Sequence, residues 1–201
     1  LRAITASLLA PLLLGCNSKP GRVTIPDWDP SAFANRILQQ LDQNGDSAID
    51  RSELAEAPGL AYGAKFIDKN SDRKLSPEEL EARFAMYRDR QLGLTSKDFR
   101  VTYNGRPLVG AEVRFVPEFF LTDVIEPATG TTIADGIVRP SIAGQRMALM
   151  RAGYYRVEVN SSKVNLPPSF NESTTIGVEV SPFAGEPADV GTIELRLRDP
   201  K

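Results

Sequence analysis

Two acidic segments of twelve residues, 42–53 and 68–79, share one register and dominate the first half of the sequence. In both, side chains with oxygen atoms alternate along the segment and a glutamate closes it. Apolar residues at helical spacing precede and follow each segment. The pattern predicts the order helix, loop, short helix, short helix, loop, helix. The apolar stripes are Phe33, Ile37, Leu38 and Leu41, then Leu60, Ala64 and Ile67, then Leu80, Phe84 and Tyr87.

Position by position, the two segments resemble the calcium loops of paired EF-hands. Such a loop supplies oxygen ligands from positions 1, 3, 5, 7, 9 and 12. The resemblance implies Ca²⁺ as cofactor and a short β-bridge between Ile49 and Leu75, which occupy position 8. The implied ligands are Asp42, Asn44, Asp46, the carbonyl of Ala48, Asp50 and Glu53 in the first loop, and Asp68, Asn70, Asp72, the carbonyl of Lys74, Ser76 and Glu79 in the second.

Both loops depart from the EF-hand pattern at position 6, where glycine is usual because the backbone turns there with positive φ. Here the residues are Ser47 and Arg73. A left-handed non-glycine residue costs roughly 1–2 kcal/mol, so we expect weak calcium affinity, of order 10⁻⁵ to 10⁻³ M. An alternative remains open, because Asp50 and Ser76 also suit helix N-caps, and 76–79 fit a capping box. The acidic residues would then be only caps, turns and solvated faces. Asp29-Pro30 likewise predicts an N-cap and a first helical position before the first stripe.

The N-terminal residues indicate a targeting segment. Arg2 precedes an uncharged stretch, 3–14, that spans roughly 18 Å as a helix, well short of the ~30 Å hydrocarbon core. The stretch ends in Leu13-Leu14-Gly15-Cys16, which resembles the lipobox of bacterial lipoproteins and contains the chain's single cysteine. The resemblance implies a signal peptide over 1–15, lipidation of Cys16 and a tether over 16–29. We therefore expect a location in the cell envelope, lipid-anchored to a membrane and facing the periplasm or exterior.

The second half, 97–201, changes from helical stripes to alternating apolar and polar residues. Turn signals such as Asn104-Gly105 separate about seven short stretches of this kind. No helical pattern lies between them, which favours an antiparallel β-sandwich over a parallel α/β fold. The predicted strands include 119–125 and 131–139, and Asp135-Gly136 indicates a hairpin turn. The aromatic run 115–120, with Tyr154 and Tyr155, favours core packing over an aromatic ligand platform.

This half resembles the carboxypeptidase regulatory-like, or transthyretin-like, sandwich domains. The residues that carry the resemblance are VTYNGRPLVGAEVRFVPE (101–118), ATGTTIADGIVRPSI (128–142), GYYRVEV (153–159) and PPSFNESTTIGVEVSP (167–182). They are turn glycines and strand alternations, which specify a fold and not an activity. The expected fold class is therefore multidomain α plus β: a compact all-α EF-hand pair over 30–92, followed by the sandwich.

Composition excludes several function classes. The chain has no histidine and one cysteine, which excludes Ser–His hydrolases, His-ligated or Cys-ligated zinc sites and an internal disulfide. These absences exclude many classes of enzyme mechanism. The sequence also shows no nucleophile elbow, phosphate loop or paired-acid scaffold. Nucleic-acid-binding proteins usually carry an excess of basic residues, whereas the net charge of this chain is −2. We therefore expect no nucleic-acid partner.

These observations predict a non-enzymatic, membrane-anchored calcium-binding lipoprotein whose sandwich serves as a structural or interaction module. Its expected partners are calcium ions, membrane lipid through Cys16 and an unidentified envelope protein. Two alternatives stay open. One is a dockerin-like module for calcium-dependent protein–protein interaction in a cell-surface assembly, and the other, less favoured, is a metal-dependent hydrolase.

Overall fold

Three α-helices form the first half of the described chain, and two β-sheets form the second. A computed structural model describes residues 24–183 and 191–199. The helices are α1 (Pro30–Leu41), α2 (Pro58–Ile67) and α3 (Pro77–Arg90). The strands within these residues are β1 (Asp98–Tyr103), β2 (Arg106–Pro107), β3 (Glu112–Pro117), β4 (Ala128–Thr131), β5 (Ile137–Val138), β6 (Ser141–Ile142), β7 (Gly153–Asn160), β8 (Gly177–Val180) and β9 (Thr192–Leu197). The fold class is thus mixed α plus β, with a β-rich second half.

The described part of the chain contains no helix of the length and apolarity needed to cross a membrane. Cys16 and the predicted signal peptide lie outside the described residues, as do residues 16–23 of the predicted tether.

Local sequence signals account for the helix starts. Before α1, the carboxylate of Asp29 accepts a hydrogen bond from the Ala32 backbone N–H at 3.0 Å, and Pro30 takes the first helical position. Before α3, Ser76 and Glu79 form a capping box in which each side chain accepts from the other residue's backbone N–H. Both arrangements confirm the sequence prediction.

The two sheets are antiparallel apart from one pair of strands. One sheet has the order β6-β4-β3-β7-β8. In the other, β1 pairs with β2 and β5 on one side and runs parallel to β9 on the other, from Asp98↔Thr192 to Tyr103↔Leu197. This parallel pair corrects the prediction of a wholly antiparallel fold. No hairpin joins β1 to β9, so no turn forces them to run in opposite directions.

The predicted strand over 119–125 is wrong. Residues Phe119–Leu121 form a 3₁₀ turn instead, and the N–H groups of Val124 and Ile125 donate to the Leu121 carbonyl. Phe120 and Leu121 are adjacent and both fully buried. A strand would direct them to opposite faces, whereas a turn lets both enter the same core.

The predicted strand over 131–139 is also wrong, because a turn divides it. Asp135 and Gly136 both have positive φ, +60° and +72°, which confirms the expected turn at Asp135-Gly136. The turn separates β4 from β5, and these two strands belong to different sheets. The Asn104-Gly105 turn between β1 and β2 is where the sequence predicts it.

The helices and both sheets share one hydrophobic core. Neighbouring tyrosines of β7 show how they meet: Tyr154 lies 5.9 Å from the Phe84 ring of α3, and Tyr155 lies 6.4 Å from the Phe115 ring of β3. The buried apolar residues of 30–92 and 97–201 belong to one continuous cluster. The division into two domains stays a prediction. The two regions pack against each other through buried apolar side chains.

Candidate metal centre

The two twelve-residue segments form two loops held side by side. The first loop, 42–53, follows α1, and the second loop, 68–79, joins α2 to α3. Ile49 and Leu75 form an isolated antiparallel bridge, with N–H to carbonyl distances of 3.0 and 2.9 Å in the two directions. Both side chains are buried. The expected bridge between the two positions 8 is therefore confirmed, and it fixes the loops relative to each other.

The carboxylate at position 1 organises each loop. Asp42 accepts hydrogen bonds from the backbone N–H groups of Gly45 (2.8 Å), Asp46 (3.1 Å) and Ser47 (3.0 Å). In the second loop, Asp68 accepts from Ser71 (2.6 Å) and Arg73 (3.0 Å). The carboxylate at position 1 thus holds the backbone of the next five residues in a turn around it.

The side chains at positions 3 and 5 continue this curl. Asn44 Oδ1 accepts from the Asp46 N–H at 2.8 Å, and Asp46 Oδ1 accepts from the Ala48 N–H at 3.0 Å. The second loop repeats both bonds at 2.8 Å, from Asp72 N–H to Asn70 and from Lys74 N–H to Asp72. Side-chain oxygens of alternate residues are therefore directed back toward the loop backbone.

The glutamate at position 12 closes each loop. Glu53 accepts from the N–H groups of Gln43 (2.9 Å) and Asp50 (2.8 Å), one on each carboxylate oxygen. Glu79 accepts in the same way from Lys69 (2.8 Å) and Ser76 (3.0 Å). Both ends of each loop are thus drawn to one carboxylate.

These hydrogen bonds also affect ionisation. Burial opposes ionisation of Glu79, but the N–H groups of Ser76, Lys69 and Asn70 outweigh it, and the pKa of Glu79 is lowered. At position 9, the Ser52 hydroxyl and the Glu53 and Ser52 N–H groups lower the pKa of Asp50. Both groups are therefore anionic at neutral pH, the state in which a carboxylate binds a cation.

Position 6 has the expected backbone conformation in both loops. Ser47 has φ +63° and Arg73 has φ +70°, so each occupies the left-handed region without being glycine. At position 4, Gly45 (φ +74°) is unstrained, whereas Ser71 (φ +63°) is a second non-glycine residue in this region. The second loop therefore carries more backbone strain than the first.

Position 7 of the second loop contributes an unexpected contact between the loops. The Lys74 ammonium forms a salt bridge with Asp46 Oδ2 at 2.5 Å. This hydrogen bond lowers the pKa of Asp46. A residue predicted to supply only its carbonyl therefore places a positive charge on a predicted ligand of the other loop. The contact depends on the Ile49–Leu75 bridge, so spacing within one loop does not reveal it.

The predicted ligands do not form a ready-made metal cluster. Within residues 24–183 and 191–199, no three or more His, Cys, Asp or Glu side chains lie in a geometry that could hold a metal ion. The carboxylates at positions 1 and 12 instead accept backbone N–H groups of their own loop. The donor set is nevertheless made of carboxylate, amide and carbonyl oxygens, which fits a hard cation such as Ca²⁺. When bound, such an ion would neutralise the clustered carboxylates.

Sequence reasoning missed two buried carboxylates outside the loops. Glu118 accepts the Gly59 N–H at the start of α2 at 2.6 Å, and Glu179 of β8 pairs with Arg83 of α3. Both acids are 1% exposed. They connect the elements on either side of the second loop to the sheets. Their only sequence signal is an acidic residue within an apolar stretch, which is also typical of a solvent-facing strand position.

Comparisons with known proteins identify no relative from which the function of the loops could be inferred. No protein-family model matches the chain, and neither a curated protein nor a solved structure shows significant similarity to it.

Proposed function

We propose that this chain is a non-enzymatic calcium-binding protein, anchored to a membrane of the cell envelope through lipid on Cys16. One observation carries the calcium part of the proposal. Side-chain oxygens at positions 1, 3, 5 and 12 accept backbone N–H groups at corresponding positions in both loops, and the Ile49–Leu75 bridge joins the loops. Independent caps and turns would not be expected to repeat this register twice.

In the proposed EF-hand pair, each loop would hold one calcium ion. The first would be held by Asp42, Asn44, Asp46, Asp50, Glu53 and the carbonyl of Ala48, and the second by Asp68, Asn70, Asp72, Ser76, Glu79 and the carbonyl of Lys74. Four carboxylates in the first loop and three in the second repel one another without a cation. Calcium binding would therefore stabilise the helical part of the fold.

We propose a stabilising role for calcium, not the opening of a groove for a target. The apolar side of the helices is already covered by the chain's own β-half. Phe84 of α3 lies 5.7 Å from the ring of Phe120 and 5.9 Å from that of Tyr154. All three side chains are fully buried. Opening the helices would expose this aromatic core to water, at a substantial cost. The β-half, proposed to be a transthyretin-like sandwich, would serve as the structural module.

The dockerin-like alternative is less well supported than the EF-hand pair. Dockerin repeats generally place a helix after each loop, whereas α1 ends at Leu41 and α2 at Ile67, immediately before the two loops. If the loops instead form a partner module, Glu53→Gln and Glu79→Gln should abolish capture of a partner in pull-downs. A metal-dependent hydrolase would require calcium-dependent turnover in a substrate screen that Asp42→Ala abolishes.

Calorimetric titration of calcium tests the proposal directly. The protein from residue 17 onward avoids the lipid and retains every described residue. We expect two binding events with dissociation constants of order 10⁻⁵ to 10⁻³ M. Glu53→Gln should remove one event and Glu79→Gln the other, while Glu172→Gln, an exposed acid outside the loops, should leave both. Absence of heat at millimolar calcium would overturn the calcium proposal.

Lipid attachment has its own test. Expression in a bacterial host with labelled palmitate should label the full chain and place it in the membrane fraction. Cys16→Ser should remove the label. No label on the unaltered protein, or a label that persists in the variant, would reject the anchor and leave the calcium proposal standing.

A further inference from the structure

Two arginines, one from each loop, line the same surface hollows. Arg51 lies two residues after Ile49, and Arg73 lies two residues before Leu75. Because the Ile49–Leu75 bridge is antiparallel, it places these two positions opposite each other. Both arginines line the same two surface hollows. Two like charges are therefore brought together by the backbone.

Neither arginine is neutralised within the described residues. Arg51 and Arg73 are exposed and form no salt bridge or side-chain hydrogen bond with any residue of 24–183 or 191–199. Neighbouring Lys74, by contrast, pairs with Asp46. Asp50 and Asp72 line one of the two hollows with them but form no salt bridge with either arginine. Neighbouring like charges that are not paired with a carboxylate repel each other. An anion bound between them would remove this repulsion.

A groove of about 580 Å³ opens beside the pair. Its floor contains the buried side chains of Leu54 and Leu75 and the half-buried Ala64. The exposed residues on its rim are Arg51, Ala55, Ala61, Lys65 and Arg73. Asp68 also lines the groove, but its carboxylate accepts backbone N–H groups from Ser71 and Arg73. The rim is thus basic over an apolar floor, in a part of the molecule otherwise rich in acidic residues.

Arg73 has a positive φ, which is unfavourable for any residue other than glycine. Its φ of +70° is one that glycine adopts without strain. Replacing it by glycine would therefore remove the guanidinium while suiting the backbone better.

We propose that this groove, with Arg51, Arg73 and Lys65 on its rim, docks an acidic segment of a partner protein. Carboxylates of the segment would pair with the two arginines, whose planar guanidinium groups bind carboxylates through two parallel hydrogen bonds. An aliphatic side chain of the segment would fill the groove over Leu54 and Ala64. A concave site of this volume suits a peptide better than a flat membrane surface. The inference goes beyond calcium binding and does not depend on it.

Fluorescence anisotropy with the full-length protein in detergent tests the proposal. The probe is a labelled peptide of alternating glutamate and leucine, and the control peptide carries lysine in place of glutamate. Both are titrated in calcium and in a chelator, so that failure of calcium binding does not hide peptide binding. We expect saturable binding of the acidic peptide only.

Two variants locate the site. Arg73→Gly and Arg51→Gln should each weaken acidic-peptide binding about tenfold, while Arg146→Gln, an exposed arginine of the β-half, should not change it. Because Arg73→Gly relieves strain, its unfolding midpoint should not fall, which separates lost docking from lost folding. No saturable binding by the unaltered protein, or binding by both arginine variants as tight as that of the unaltered protein, would overturn the proposal. Binding of the protein from residue 17 onward, which lacks the lipid, to phosphatidylglycerol vesicles without peptide binding would overturn it in favour of a membrane surface.

Discussion

Arg83 of α3 and Glu179 of β8 form a salt bridge in the centre of the molecule, with 2.6 Å between Nη2 and Oε1. Both side chains are 1% exposed. Tyr87 donates its hydroxyl to the same carboxylate oxygen at 2.6 Å, while Oε2 has no hydrogen-bond partner among the described residues. Burial raises the pKa of Glu179, opposed by the Arg83 charge. The helix that leaves the second loop is thus fixed to the edge of a sheet by a buried ion pair.

Removing one member of this pair should destabilise the whole protein. Arg83→Met leaves an uncompensated buried carboxylate, so we expect a loss of about 3–5 kcal/mol in the free energy of unfolding. Urea denaturation followed by tryptophan fluorescence measures it, since Trp28 is packed 4.7 Å from the ring of Tyr87. The double variant Arg83→Met, Glu179→Leu should lose less than the two single changes added together. Strict additivity would show that the two charges do not interact.

A side chain at Gly177 should be equally disruptive, for a steric reason. A Cβ atom at this position of β8 would lie 1.9 Å from the carbonyl carbon of Pro58 and 2.2 Å from the Gly59 nitrogen, at the start of α2. Backbone cannot give way as a flexible side chain can. We expect Gly177→Ala to cost about 3 kcal/mol or more in thermal and urea unfolding.

Gly144 provides the comparison for Gly177. It has nothing within 4 Å of its Cβ position but a φ of +81°, so Gly144→Ala should cost only about 1–2 kcal/mol. Equal losses for the two variants would show that β8 and α2 are not in such close contact.

Glu118 should make stability fall as pH rises. Burial raises its pKa to about 7, against the opposing effects of the Gly59 N–H and the Arg156 charge. The folded pKa lies above the ordinary value of 4.5, so the folded protein binds the proton more tightly. The contribution is therefore fully present below pH 4.5, decreases up to about pH 7 and is constant above it.

Glu118→Gln isolates this effect. The amide oxygen can still accept the Gly59 N–H but does not titrate, so the variant should gain roughly 2–3 kcal/mol relative to the unaltered protein between pH 4.5 and pH 8. Urea unfolding at several pH values gives the difference, and other titrating groups cancel in the comparison. A difference that does not change with pH would place the Glu118 pKa near its ordinary value.

Local signals in the sequence predicted the parts of the fold that depend on neighbouring residues. The Asp29-Pro30 start of α1, the capping box at Ser76 and the Asn104-Gly105 turn each involve residues within a few positions of one another. Burial of Phe115, Phe120, Tyr154 and Tyr155 was also predictable, because such an aromatic cluster is more often core than ligand platform.

Features that depend on distant residues were not predictable in this way. Arg83 and Glu179 are separated by 96 positions, and the parallel pairing of β1 with β9 brings together the start and end of the β-half. The same division applies to the candidate site. Register within each loop predicts its side-chain to backbone bonds, whereas the Lys74–Asp46 salt bridge arises only when the two loops meet.

The proposed calcium sites should differ in affinity. The first loop has four carboxylates among its predicted ligands, and one non-glycine residue in the left-handed region, Ser47. The second has three carboxylates and two such residues, Ser71 and Arg73. More negative charge and less strain favour the first site, so Glu53→Gln should remove the tighter binding event and Glu79→Gln the weaker one. Calorimetry of the two variants decides the order, and the reverse assignment would contradict it.

Lys74→Gln tests the contact between the loops. The substitution removes a positive charge from Asp46 Oδ2 and should tighten the first site several-fold. The effect should shrink at high salt, because the pair is partly exposed. Lys69→Gln, in the same loop but without a salt bridge to a predicted ligand among the described residues, is the matched control.

Calcium should stabilise the whole chain in a single transition. The helices and sheets share one core, so the helical part cannot melt first without exposing Phe84 and Tyr154. At a calcium concentration about 100 times the dissociation constant, one site contributes about 2.7 kcal/mol. For a chain of this size that corresponds to a rise of about 5–10 °C in melting temperature. Calorimetry in calcium and in chelator should show one peak that moves. Two peaks, of which only one responds, would mean that the helical part folds independently of the sheets.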